Sequence, residues 1–231
     1  MLLLDAGYLA YQCLGSPEYF FDPWACTDVL MAQGAILCID SSQSLRREAY
    51  PWYKTNRDNV SPTFDAMRSE AHQWRIDAVK RYGDQCRAID GLEADDVIAL
   101  YVSPGDTIMG EDKDFLQFEG IRLIDINGEE WADRRLAKFS KQDITQGERF
   151  MAWQLAVGDM TDSIPRLLYS KDRTTLKTIL KHKHPLWLLL QMVNQEQAIE
   201  HLNCLVLPTP LYGGVDTLKL VSERYAYETL G

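Results

Sequence analysis

Apolar residues in this chain fall into short runs that end in carboxylates. Leu2-Leu3-Leu4 runs into Asp5, and Ala35 to Ile39 runs into Asp40. Each run has the length of a buried strand. The stretch 22–34 between them reads as a helix, which gives a right-handed crossover and parallel strands. Thr107-Ile108-Met109 is a third such run, with Asp112 and Asp114 just past its end, and residues 121–126 read as a fourth, closed by a turn at Gly128. A helix is expected around Tyr8 to Leu14. Ala94, Val97, Ile98 and Tyr101 form one apolar helix face, and Ser103-Pro104-Gly105-Asp106 ends it as a turn.

After a Ser-Pro turn near residue 61, Phe64, Met67, Ala71, Trp74 and Ala78 recur at spacings of three and four, which predicts an amphipathic helix within 59–82. Its other face carries Arg68, Arg75, Lys80 and Arg81 among acids; core packing explains the stripe, which carries no functional weight by itself. Residues 140–143 resemble a helix N-terminus, and 149–157 read as a helix that stops at Gly158. Residues 174–180 predict a helix, and 185–207 one or two more, stopped by Pro208 and Pro210. The last twenty residues carry no clear pattern. Strand and helix alternate, then helices alone follow. That order predicts an α/β fold with a parallel sheet, followed by helices.

The stretch Gly91 to Gln117 holds five carboxylates: Glu93, Asp95 and Asp96, then Asp112 and Asp114. Open α/β sheets place ligand sites just beyond the carboxyl ends of their strands. Charges gathered there repel one another unless a cation sits among them, and oxygen-only sets suit hard ions such as magnesium or manganese. A helix dipole explains one or two acids in a first turn, but not the second pair after the next strand. In mid-helix Asp95 would point away from Glu93 and Asp96, so convergence requires that the three sit at a helix start. Asp5 or Asp40 alone is an ordinary cap or turn residue. With the Asp112/Asp114 pair and a third cluster, Asp159 and Asp162, a shared metal centre is favoured.

Two segments have the opposite sign. Residues 41–57 set Arg46, Arg47, Lys54 and Arg57 among Tyr50, Trp52 and Tyr53. Basic side chains neutralise phosphates while rings stack on unpaired bases. Most such runs are solvated surface loops, but the aromatic interleaving directly after a strand-end Asp favours substrate contact. Arg166 to His184 carries six Lys or Arg against one Asp. His182 and His184 belong to this polar end, since nothing nearby is spaced for zinc.

The 231 residues allow one large domain, and their net charge of −10 argues at first against a nucleic-acid partner. With nine carboxylates set aside for one site, however, the remainder is close to neutral, so the local pattern matters more. Five scattered cysteines predict reduced thiols in a cytosolic setting. The amino terminus lacks the basic region of a signal peptide, and no stretch approaches membrane-spanning length.

In order along the chain, LLLDAGYLAY, CIDSSQSLRREAYPWYKTNR, GLEADDVIALY, GEDKDFLQF and LAVGDMTDSIP resemble the motifs of the 5′-nuclease family. That family comprises flap endonucleases, phage 5′→3′ exonucleases and the 5′-nuclease domain of bacterial DNA polymerase I. The resemblance covers residues 1 to about 165, and the compact size is most like the phage members. It implies a PIN-like α/β core over 1–157, a mostly parallel central sheet flanked by helices with a helical arch about 50–83, then a helical C-terminal DNA-binding portion over 158–231. It also implies a divalent-metal-dependent nuclease of DNA replication and repair that hydrolyses DNA phosphodiesters at or near a 5′ end or flap, with RNA–DNA hybrid as a further substrate. Two ions, magnesium or manganese, are implied. Asp5, Asp40, Glu93, Asp95 and Asp112 match acidic positions on the first-metal side; Asp114, Asp159 and Asp162 match the second, and Asp96 supports both. Lys54 and Arg57 match the basic pair at the base of the arch, and Tyr53 matches a ring near the cleaved strand.

Where the family carries a glycine-rich hairpin that binds duplex and potassium, this chain has Arg166, Tyr169 and Lys171 at the glycine positions, and Ser163 replaces an Asn. Side chains there disfavour the tight turns that glycine permits, which argues against a potassium site. Duplex contact is then expected from Arg166, Lys171, Arg173 and Lys177, with Arg46 and Arg47 contacting the substrate elsewhere. The expected protein is a monomer with no membrane association, in the cytoplasm or, if phage-encoded, the host cytoplasm. Two rival readings are a non-catalytic DNA-binding or replication-accessory protein on the same fold and, more weakly, a phosphatase with an Asp nucleophile.

Overall fold

A computed structural model describes residues 1–15, 22–58, 62–139, 144–168 and 173–225. The residues divide into two compact units, one of 1–44, 59–115 and 120–131, the other of 45–58, 116–119 and 132–231.

The first unit is built on five parallel strands in the order β3-β2-β1-β4-β5. They are β1 (Leu2–Asp5), β2 (Ile36–Cys38), β3 (Cys86–Arg87), β4 (Thr107–Met109) and β5 (Arg122–Ile124). β1 lies at the centre because its leucines find apolar neighbours on both sides: Leu3 pairs with Ile36 and with Ile108. The apolar runs predict four of these strands. β3 has only two residues and no apolar run, and its place is set by pairing with Leu37 and Cys38.

Among the described residues, four α-helices complete this unit: α1 (Ala6–Gly15), α2 (Pro23–Ala32), α4 (Pro62–Tyr82) and α5 (Ala94–Tyr101). α2 starts where Asp22 accepts the Trp24 amide at 2.8 Å, with Pro23 at the first helical position. The expected stripe of α4 is real: Ala71, Trp74 and Ala78 are buried with Leu9, Ala10 and Cys13 of α1 in one apolar cluster. The unit's polar chemistry gathers where β1, β2 and β4 end, around the start of α5.

The second unit is helical: α3 (Leu45–Ala49), α6 (Ala132–Phe139), α7 (Glu148–Val157), α8 (Arg173–Lys181), α9 (Pro185–Met192), α10 (Gln195–Leu205) and α11 (Thr217–Arg224). α7 is almost wholly buried, through Phe150, Met151, Ala152, Leu155 and Ala156. The run 185–207 forms two helices because Asn194 starts a new one, accepting the Gln197 amide at 2.9 Å. α11 lies in the tail where no pattern was evident, and Asp216 caps it through the Lys219 amide. Residues 140–143, expected to begin a helix, and the turn near residue 61 lie outside the described residues. Among the described residues no helix is long and apolar enough to cross a membrane.

Candidate metal centre and basic segment

In the first unit, Asp5 ends β1 and accepts the Tyr8 amide at 3.1 Å, while Asp40 follows β2 and accepts the Ala94 amide at 2.9 Å. α5 begins at Ala94, so Glu93, Asp95 and Asp96 do sit at a helix start, as convergence requires. Asp96 is buried and accepts the Glu93 amide at 3.3 Å, and Asp95 accepts the Asp96 amide at 2.7 Å. Glu93 also receives the Ser44 hydroxyl at 3.1 Å. Past β4, Asp112 accepts the Asp114 amide at 2.9 Å, and the Asp114 carboxylate is buried with Lys113 Nζ 3.8 Å away.

Two glycines let these groups approach. A Cβ on Gly7 would lie 3.3 Å from an Asp5 oxygen and 3.7 Å from one of Asp40. One on Gly110 would meet the Phe115 ring at 2.9 Å and Asp5 Cβ at 3.3 Å. Burial, then the charges of Asp40 and Asp112, push the Asp5 carboxyl up to about 7 against the amide bonds that hold it down. Asp40 and Asp112 are therefore both electrostatic neighbours of Asp5 at the strand ends, and such oxygen donors fit a hard divalent cation. Arg75 of α4 supplies the one ion pair to this group among the described residues, from its guanidinium to Asp40 Oδ2.

In the second unit, Asp159 and Asp162 lie on a tight loop after α7, and both are buried. Asp159 and Ile164 exchange backbone hydrogen bonds at 2.9 and 2.7 Å. Gly158 makes this possible at φ 74°, where a Cβ would fall 2.6 Å from the Ile164 carbonyl oxygen. The 50–57 segment is laced to that loop. The Lys54 amide donates to the Asp162 carbonyl at 2.9 Å, and the Tyr53 hydroxyl to the Asp162 carboxylate at 3.3 Å. The Asn56 amide donates to the Ser163 hydroxyl at 3.3 Å, and the Asn56 side chain to the Met160 carbonyl at 2.8 Å. Lys54 Nζ ends 4.0 Å from Asp162 Oδ2 and 4.9 Å from the Tyr53 ring centre.

Not every residue expected to meet substrate faces outward. Arg46 is 1% exposed; it donates to the Val206 carbonyl and lies over the Tyr53 ring. Tyr53 is itself 2% exposed, so both side chains are spent on packing the loop rather than on stacking or phosphate contact. Arg47 is half-buried and donates to the Lys54 carbonyl at 3.0 Å. Arg166, Arg173 and Lys177 are exposed. Arg57 lies in a short 3-10 turn, Thr55–Asp58, and Lys171 lies outside the described residues. Arg75, Ser44, Asn56 and the hydroxyl of Ser163 are the groups that sequence reasoning missed. Ser163 had a signal, as the residue that replaces the family's Asn; Arg75 showed only as a charge on the polar face of an amphipathic helix.

A model of the 5′-3′ exonuclease N-terminal, resolvase-like domain matches residues 26–146, just over half of the chain. The chain belongs to that family. The 5′-nuclease fold extends beyond the matched segment. A bacteriophage T5 5′-exonuclease with zinc bound superposes with a TM-score of 0.64 at 18% identity, over 98% of this chain and 97% of that one. A bacteriophage T5 flap endonuclease in a complex with DNA and metal ions gives 0.62 at 18% identity, over 97% and 96%. DNA polymerase I of Rhizobium leguminosarum is 25% identical over 146 residues, which span 57% of this chain and 13% of the polymerase.

Proposed function

We propose that this 5′-nuclease family member is a divalent-metal-dependent nuclease that hydrolyses DNA phosphodiesters at or near a 5′ end or flap. The observation that carries the reading is the group of carboxylates at the strand ends, where Asp5 is held among Asp40 and Asp112 in a family of 5′-3′ exonucleases. Two magnesium or manganese ions, when bound, would polarise the scissile phosphate and lower the pKa of an attacking water. Asp5, Asp40, Glu93, Asp95, Asp96 and Asp112, with Asp114, Asp159 and Asp162, are the proposed ligands.

The chain's own part in the chemistry is charge and position. Lys54 would stabilise negative charge on the phosphate, with Arg57 orienting it. Arg166, Lys171, Arg173 and Lys177 would neutralise duplex phosphates. The proposed division of labour is a core over 1–157, with an arch about 50–83, and a DNA-binding portion over 158–231. DNA in the T5 complex and metals in both T5 structures support the assignment by likeness of fold.

Labelled flap, nicked, gapped and single-stranded substrates, incubated with and without magnesium, test the reading and give the preferred substrate from product sizes. Asp114→Ala and Asp159→Ala are each expected to abolish cleavage while leaving DNA binding intact or improved. Cleavage at the parent rate by either variant would remove that residue from the site. Intact substrate in every lane with magnesium would favour the non-catalytic binding protein.

A further inference from the structure

Arg75 is the cation that meets Asp40 at the end of β2. Its guanidinium pairs with Asp40 Oδ2, while Asp40 Oδ1 is taken by the Ala94 amide at 2.9 Å. The helix behind it cannot easily withdraw, because Trp74 and Ala78 on the same stretch of α4 are buried in the core. The Arg75 side chain is 17% exposed and that of Asp40 35%, so water screens the pair only in part. Asp40 also lies beside Asp5, whose ionisation is disfavoured by burial and then by the charges of Asp40 and Asp112. A fixed positive charge here does two opposing things. It holds the carboxylates together when no metal is bound, and it repels a metal ion that approaches the same oxygens.

We infer that Arg75 is an exchangeable counter-ion of the metal centre: it neutralises Asp40 in the metal-free protein and competes with the divalent ion for that carboxylate. The inference rests on the metal-centre reading above. It differs from a simple orienting role. An arginine that only aimed Asp40 at the metal would raise metal affinity, whereas a competitor lowers it.

Calorimetric titration of magnesium, and separately manganese, into the chelator-treated full chain without DNA separates the two. Arg75→Gln is expected to bind the ion about ten-fold tighter than the parent, since one unit charge a few ångströms from the site has been removed. The same variant is expected to melt at lower temperature than the parent in EDTA, with the gap narrowing in saturating magnesium. Arg75→Lys keeps a charge with poorer reach and should fall between them in affinity, which covers the case in which the glutamine variant fails to fold. Equal or weaker binding by Arg75→Gln, or by Arg75→Lys if only that variant folds, overturns the inference and leaves the metal centre standing. No metal binding by the parent overturns both.

Discussion

Lys54 and Ser163 both adopt left-handed backbone conformations, at φ 58° and 62°, that non-glycine residues seldom hold without support. Each such residue costs roughly 1–3 kcal/mol and persists only where surrounding bonds over-determine it. Those bonds are present: the Lys54 amide is held by the Asp162 carbonyl, and the Ser163 hydroxyl meets Thr55 Oγ1 at 3.2 Å and the Asn56 amide at 3.3 Å. The ammonium is thus positioned before any substrate arrives, which is where a preorganised charge is most effective. Lys54→Ala is expected to lose roughly 10²–10³ in single-turnover cleavage rate with near-normal DNA affinity. Ser163→Ala, which keeps the lysine but loosens its tether, should lose less, about ten-fold. A Lys54→Ala protein that cleaves normally once saturated, but binds weakly, would move Lys54 from catalysis to affinity.

Two helices carry predictions of their own. α8 displays Arg173 and Lys177 to solvent and buries Leu176, Ile179 and Leu180 beneath them. Side-chain contacts to phosphate release counterions, so duplex binding should weaken steeply with total salt. With no glycine-rich hairpin, it should be indifferent to exchange of potassium for sodium at constant ionic strength. Removing Arg173 and Lys177 together should lower the log–log salt slope by about two, since each phosphate contact adds roughly 0.9. An unchanged slope would mean that these side chains merely solvate the helix.

α10 is the platform for the Lys54 segment. Asn203 donates to the Tyr50 hydroxyl at 2.7 Å, the carbonyl of Val206, which caps α10, holds Arg46, and His201 meets the edge of Trp52 at 6.1 Å. Desolvation lowers the His201 pKa below its ordinary 6.5. The unfolded chain therefore binds a proton that the folded chain resists, and the contribution of this group to stability falls as pH drops below about 6.5. Asp5, pushed up to about 7, pulls the other way over the same range, so the His201 contribution is read from thermal melts between pH 7.5 and 5 as a decline of the parent relative to His201→Gln. An equally steep decline in the variant would place the responsible group elsewhere.

At the scale of the molecule, the α/β half was legible because its strands advertise themselves twice, as apolar runs and by the carboxylates at their ends. β3 was not, since Cys86-Arg87 becomes a strand only through its neighbour. Neither was α6, because ADRRLAKF sets only two large apolar residues, Leu136 and Phe139, among four charged ones. The candidate acidic ligands came from motif order, and the helix starts at Ala94, beside Glu93, Asp95 and Asp96. The basic residues were harder. Arg46 and Tyr53 have the chemistry of nucleic-acid contact, but a guanidinium and a ring also pack on each other, and only tertiary structure shows which use prevails. Arg75 was hidden by the opposite error: a surface charge on an amphipathic helix is ordinarily just solvated, and nothing local places it beside Asp40.

The position of β1 bears on how this chain comes to be folded. Its first strand is the middle of the sheet, and the neighbour on one side, β4, starts at Thr107, about a hundred residues later. During synthesis β1 and β2 can pair early, yet one edge of β1 stays open until β4 has left the ribosome. Closing so long a loop is slow, and an unpaired apolar edge such as Leu2-Leu3-Leu4 invites pairing with other chains meanwhile. A nascent chain arrested before β4 would therefore be a half-sheet with its best strand exposed, a natural target for chaperones and a poor candidate for a functional fragment.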